Sequence, residues 1–436
     1  MPGTINRRAL RWLRGQLPEL VAAGAISSEN AAAIERHYAS VETRGNFGFV
    51  ILATVGAALV GAGIVLLVAH NWDEFSRATR TVIAFIPLLL TQALVVFVLL
   101  RRNESRPWRE VAAVFDVAAV ATAISLISQT YQVQGSFSEF MRIWLLLSFP
   151  IVYLLRSTLG ACVYVAGAIV WLETRWGIFR SDNPLLFWLF LLLVFPYFWN
   201  RYRQNRDGRE TATLAIILTL AAVFGLGATA SFTKFDAGGI AFAGLFTAIY
   251  LCGMKFFRTD DERLHVIALL GAVGIGVTAI VLSFEGAWHM THNVEPVGRS
   301  GAQNLGIAIE LFFPIVAVAL AGWDFFHKKV RFSLSAALFS IVAAIAWVIA
   351  KNDGQFAAAA LINCYTLWLG IDILARGIRS KSIARANFGL VLIAALALAR
   401  FFDSDLSFVS RGLGFIVVGA GFLIANVILF KKRATA

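Results

Sequence analysis

The sequence predicts an all-α fold, a polytopic transmembrane helix bundle of about 14 spans with a short N-terminal cytoplasmic helical hairpin. Three observations carry that prediction. Of 436 residues 59% are hydrophobic and only 15% charged, with a mean hydropathy of +0.74, whereas soluble domains are about half apolar and about a quarter charged. The apolar residues are gathered into runs of membrane-spanning length. Lys and Arg fall in short clusters between those runs.

The first element precedes the membrane. In "LRWLRGQLPELVAAGAISSENAAAIERHYAS", Leu10, Leu13, Leu17, Leu20 and Val21 recur at helical spacing and Gly24 breaks the run. Ser27 or Ser28 then caps a second helix through Ile34 to Tyr38. Such a hairpin is too small to hold a core alone. It reads either as a docking module for a cytoplasmic protein partner or as an amphipathic foot orienting the first span. The expected division is residues 1–45 for the hairpin and 46–436 for the transmembrane domain. The first 46 residues are polar and Arg-bearing, without the short apolar stretch of a cleavable signal, so the first span is expected to act as its own insertion signal.

Fourteen apolar runs follow, at about 48–69, 79–100, 111–128, 141–156, 158–173, 184–200, 211–231, 238–256, 264–283, 306–324, 331–350, 355–376, 387–402 and 411–430. The stretch 141–173 is too long for one straight span and barely enough for two, with Arg156 and Ser157 marking the only plausible turn. If the N-terminus is cytoplasmic and the spans alternate, 28 of the 38 Lys and Arg fall on the inner side. That asymmetry predicts a bacterial inner-membrane protein with both termini cytoplasmic. Aromatic residues gather at span ends, as in "WLFLLLVFPYFWNRY", the interfacial belt.

A net charge of +12 would point to nucleic acid only if the basic residues formed a stripe with interleaved aromatics, and they do not. Cys162, Cys252 and Cys364 lie inside apolar runs with no metal or disulfide spacing. Walker, dinucleotide and nucleophile-elbow patterns are missing, so no cofactor is expected. "GAGIVLLV", "GAVGIG" and "GLGFIVVGAG" are small residues on span faces. His289, His292 and Glu295 in "HMTHNVE" could share a helical face around a divalent ion, but Gly286 and Pro296 bracket them and no fourth ligand is evident. A solvated loop and no metal is the expectation. "NFGFVILA" at 46–53 and "NFGLVLIA" at 387–394 echo one another, as a repeat in a transporter would or as chance in apolar sequence would.

Polar groups inside apolar runs carry more information, because each needs a partner or water. They are Asp116, Gln129, Glu310, Asn363, Asp372, Arg400 and Asn426, with His70, Arg142, Glu173 and Asp324 near span ends. For any one of them a packed structural contact competes with a role in a polar pathway. If the first, third and thirteenth spans are neighbours, His70, Asp73, Glu74, Gln129, Arg400 and Asp403 converge in one outer vestibule. Pro87, Pro150, Pro196 and Pro314 offer bends.

Four stretches resemble a bacterial membrane-protein family catalogued as a domain of unknown function (twenty-one fifty-seven). They are "AGAISSENAAAIERHY", "GAGIVLLVAHNWDEFSR", "ISQTYQVQG" with "WLLLSFPIVYLLRS", and the terminal "NFGLVLIAALALARFFDSDLSFVSRGLGFIVVGAGFL". "AHNWDE" is the most specific. The resemblance implies a membrane protein and carries over no catalytic residue. It marks His70, Asn71, Trp72 and Asp73, with Gln129, Tyr131, Arg400 and Asp403, as the positions of interest.

Three functions compete. A transporter or flippase-like carrier of a small solute or lipid suits the even span count and intramembrane charges. A membrane-embedded enzyme on a lipid-linked or envelope substrate would draw acid and base from His70, Asp73, Glu74 and Asp403. A sensor or assembly factor would use the hairpin.

Overall fold

The computed structural model describes residues 7–34, 72–176, 184–206, 208–233, 237–257, 266–289, 301–326, 334–380 and 382–401, with four single positions beyond. Among these residues every regular element is helical. The chain falls into two compact units, Met1–Arg80 and Thr81–Ala436.

In the first unit, α1 (Arg7–Ala22) and α2 (28–34) form the expected pair. Gly24 stands at φ +70° and ends α1 as a left-handed cap. The Ala25 N–H reaches the Leu20 carbonyl and the Gly24 N–H the Val21 carbonyl, which is the Schellman pattern. Ser27 caps α2, its hydroxyl accepting the Asn30 N–H at 3.1 Å.

Twelve of the fourteen expected runs fall mostly within the described residues, eleven as one helix each and that at 331–350 as a one-turn helix, Leu334–Ala337, ahead of a longer one. They are α3 (Arg77–Arg101), α4 (Arg106–Tyr131), α5 (Phe137–Leu154), α6 (Thr158–Trp176), α7 (Leu185–Gln204) and α8 (Arg209–Thr233). Then come α9 (Gly238–Phe256), α10 (Val266–Leu282), α11 (Gly301–Phe326), α12 (Phe339–Lys351), α13 (Gln355–Arg379) and α14 (Ile383–Phe401). Among the described residues nine helices are long and apolar enough to cross a membrane, and α6, α10 and α12 are shorter apolar helices. The runs at 48–69 and 411–430, and with them Asn426, lie outside the described helices. The chain is a multi-pass helical membrane protein, and it leaves leucines such as Leu89, Leu90 and Leu100 more than 60% exposed because that surface faces lipid.

The stretch 141–173 is two helices. Arg156, at φ +49°, turns the chain while the Ser157 N–H reaches back to the Val152 carbonyl and the Arg156 N–H to that of Tyr153. A three-residue connection forces α5 and α6 to pack antiparallel side by side. Trp144 of α5 lies over Gly167 of α6, where any Cβ would overlap the indole ring.

Two apolar clusters make the core of the second unit. One draws on α3 to α8 around Leu145, Tyr164, Trp171 and Phe187; the other draws on α9 to α14 around Trp288, Phe339 and Ile362. A small third cluster of Leu226, Ala241 and Leu245, with Trp188 and Phe313 against it, joins them. Closest approach comes where glycine meets backbone. Gly253 faces Ala268 and Gly271 faces Tyr250 across α9 and α10, while Gly377 faces Ala386 and Gly389 faces Leu374 across α13 and α14. The two hairpins thus share one contact pattern, "YLCG" on "ALLG" and "LARG" on "ANFG".

Candidate functional site

The prolines and polar residues within the spans decide where the bundle is open. α3 meets α4 through side chains at three levels: Phe97 against Trp108, the Asp116 group, and Thr81 against Tyr131. Asp116 is buried, and its Oδ1 accepts the Thr91 hydroxyl at 3.1 Å and the Gln92 amide at 3.0 Å. Both partners stand near the middle of their helices, ~15 Å along from the connecting turn at about 1.5 Å per residue. That is about half the ~30 Å hydrocarbon thickness, where an unpartnered carboxylate is most costly.

Above this level α3, α4 and α5 splay apart around a cleft of about 880 Å³, within the ~300–1,000 Å³ usual for ligand sites. Its walls are apolar, including Leu88, Val120, Ala123 and Ile124, and its floor reaches Gln92. Phe85, Phe137, Ile143 and Leu147 line it and are themselves exposed, so the cleft opens sideways toward hydrocarbon. Its rim is polar: Ser128, Gln129, Gln134, Ser136, Glu139 and Arg142.

The local sequence builds that rim. α4 ends at Gln132, which takes a left-handed φ of +50° while the Val133 N–H reaches the Ser128 carbonyl. α5 begins with a capping box, the Ser136 hydroxyl accepting the Glu139 N–H at 3.2 Å and the Glu139 carboxylate accepting the Ser136 N–H at 3.1 Å. Glu139 is therefore committed to the helix start. Arg142, one turn further and half-buried, has no hydrogen-bond or ion-pair partner among the described residues. A lone guanidinium on a cleft wall can hold an anion by two parallel hydrogen bonds.

The other expected residues fall in several places. Trp72, Asp73 and Glu74 form a single 3-10 turn in the first unit. Arg80 wraps it, donating to the Asp73 carbonyl at 3.0 Å and the Phe75 carbonyl at 3.0 Å with its guanidinium over the Trp72 ring. The Asp73 side chain is fully exposed. His70, Asn71 and Asp403 lie outside the described residues. Gln129 is on the cleft rim and Tyr131 binds Thr81, whereas Arg400 donates to the Ser283 hydroxyl at 3.2 Å and stacks over Phe284. Gln129 and Arg400 thus belong to separate groups. His289 ends a one-turn helix, and His292 and Glu295 lie outside the described residues.

The remaining intramembrane polar groups serve helix contacts. Asn363 donates to the Ser283 carbonyl at 2.9 Å and the Ala359 carbonyl at 2.8 Å. Asp372 accepts the Arg376 guanidinium at 2.9 Å and the Ser335 hydroxyl. Glu310, fully buried, accepts the Thr233 hydroxyl with one carboxylate oxygen, and its other oxygen has no partner among the described residues.

One polar assembly was not legible as a site. At the basic end Glu110 of α4 accepts the backbone N–H of Thr158 at 3.1 Å and of Leu159 at 2.8 Å, along with the Ser157 hydroxyl. Arg106 pairs with Glu210 at 2.8 Å, and Arg201 donates to the Arg156 carbonyl at 2.7 Å. Glu110 thus satisfies the open N–H groups at the start of α6 from a neighbouring helix. Thr91 and Gln92 were also missed, though the polar pair in "LLLTQALVV" sits at mid-run. A hairpin turning at 103–104 brings them level with Asp116.

Residues 18–161 match a family model described as "Predicted membrane protein (DUF2157)". The matched stretch ends just inside α6, so all the residues that line the cleft between α3, α4 and α5 lie within it. No curated protein and no solved structure matches the chain.

Proposed function

We propose that this protein is a flippase-like carrier and that the cleft between α3, α4 and α5 holds its substrate, an amphiphile. The observation that carries the reading is the cleft's lining, which is apolar and open to lipid, polar at the rim and polar again at mid-depth through Gln92, whose amide is held by the buried Asp116 behind it. Gln92 is exposed on the cleft floor while its amide meets Asp116, which keeps a polar group at the level where an unpartnered one is hardest to bury. A carrier needs polar stations along an otherwise apolar path.

The orientation we assign puts the basic end of the bundle and both termini in the cytoplasm of a bacterial inner membrane, with the cleft rim outside. Supporting it, the turns at 102–105, 155–157 and 205–208 and the end of α9 meet at one end through Arg106, Arg201, Tyr202 and Arg206. Alternation of spans requires that arrangement. In this scheme residues 1–45 form a cytoplasmic hairpin for a protein partner and 46–436 the transmembrane domain.

The test is lipid exchange between leaflets. Full-length protein is placed in liposomes holding a fluorescent phospholipid, and the fraction bleached by external dithionite is followed. The reading expects that fraction to rise above the one-leaflet plateau, and Gln92→Leu to slow the rise several-fold at equal protein content. No acceleration by the wild type with any phospholipid overturns it.

A further inference from the structure

The geometry points to an anionic headgroup on the amphiphile, with its phosphate or carboxylate held by Arg142 at the rim and its chains in the apolar wall below. This rests on the reading of the cleft as the working site and adds the charge of what it takes.

Four observations support it. Arg142 is the sixth residue of α5, ~9 Å along from the helix start at about 1.5 Å per residue, inside the hydrocarbon for a span of this length but within reach of the headgroups for so long a side chain. It is half-buried and has no hydrogen-bond or ion-pair partner among the described residues, so none of them compensates its charge. The nearest carboxylate in sequence, Glu139, is held by the capping box at the helix start. Gln129 and Gln134 stand on the same rim with amide donors, and neither is a competing negative charge.

A free cation facing hydrocarbon is expensive, and snorkelling alone would carry a long side chain away from the cleft toward water. Retention on the cleft wall is what a counter-charge arriving from the membrane would exploit. Because the wall beneath is apolar from Ile143 to Leu147, the occupant is a lipid-like anion rather than a free phosphate or a sugar phosphate.

The experiment is native mass spectrometry of the full chain in detergent with equal phosphatidylglycerol and phosphatidylcholine. Wild type should retain phosphatidylglycerol about tenfold over phosphatidylcholine. Arg142→Gln should bring the ratio near one, and Arg142→Lys should keep most of it. Gln134→Glu, an exposed loop change that leaves the packing alone, should lower the ratio at least threefold and guards against a folding defect in the Arg142 variants. Glycerol phosphate in millimolar excess should not displace the lipid. Equal retention by wild type, an unchanged ratio in Arg142→Gln, or displacement by glycerol phosphate each overturns the inference. If the ratio depends on Arg142 but no lipid crosses the bilayer, the carrier reading fails and the binding inference stands. If lipid crosses without charge preference, the reverse holds.

Discussion

At the residue scale, Glu110 shows what one buried carboxylate does at a helix start. It answers two backbone N–H groups and a hydroxyl that would otherwise be unsatisfied beside lipid. Hydrogen bonds to a charged group contribute ~1.5–3 kcal/mol each in net terms, and breaking such a set costs on the order of 3–5 kcal/mol. Glu110→Ala should therefore lower the thermal unfolding temperature of the purified protein clearly. Glu210→Ala, which loses a half-exposed pair with Arg106, a longer one with Arg201 and the Thr158 hydroxyl but strands no backbone N–H, should lower it less. Equal losses in the two variants would remove the distinction. Gln132 makes the opposite case: its left-handed backbone costs ~1–2 kcal/mol for a residue with a Cβ. Gln132→Gly relieves that strain, less what glycine loses in the unfolded chain, and the expected gain is up to ~1 kcal/mol, read by the same melt.

At the element scale, the glycines sort by what faces them. A Cβ at Gly271 would enter the backbone of Tyr250, and one at Gly253 that of Ala268. Gly271→Leu should push α9 and α10 apart at a cost of at least ~1–3 kcal/mol. Gly322, late in α11, has nothing within 4 Å of such a Cβ. Gly322→Ala should stabilise by ~0.5–1 kcal/mol through helix propensity alone. Paired melts of the two variants check both signs. The same comparison marks what was legible in the sequence. Helices could be read from the length of apolar runs, and Arg156–Ser157 could be read as a turn because Arg156 is the one charged residue between Arg142 and Glu173. The stops at Gln132, Arg156 and Asp353 could not be read as left-handed caps, since none is glycine or asparagine. Nor could the partners of Asn363 or Arg400, because Ser283 lies 80 and 117 residues away and only the packed bundle brings it near. The Asp116 group could have been found by symmetry about its turn.

At the scale of the whole molecule, alternation of the spans makes a prediction independent of any substrate. Asn103 and Gln134 are exposed in successive turns of the second unit. In intact cells a membrane-impermeant thiol reagent should label Gln134→Cys and should reach Asn103→Cys only after lysis. Labelling of both from outside would break the span map, and the reversed pattern would invert it. The fold class and span order were available from hydropathy and charge because lipid imposes one requirement on every span. The cleft was not, because three apolar runs look alike whether their helices touch or splay. What separates them is a lone Arg142 and a mid-run Gln92, and each reads by itself as an ordinary polar exception.

The division of the apolar core into two clusters, with the chain crossing between them once after Thr233, bears on synthesis. The cluster of α3 to α8 uses no side chain from α9 onward, so it can close while the later helices are still leaving the ribosome. The second half then docks on a finished surface through Leu226, Trp188 and their partners. Two separately translated fragments, 1–233 and 237–436, should accordingly find each other in the membrane and co-purify. A cut within 155–157 would divide a single cluster and leave neither fragment able to mature.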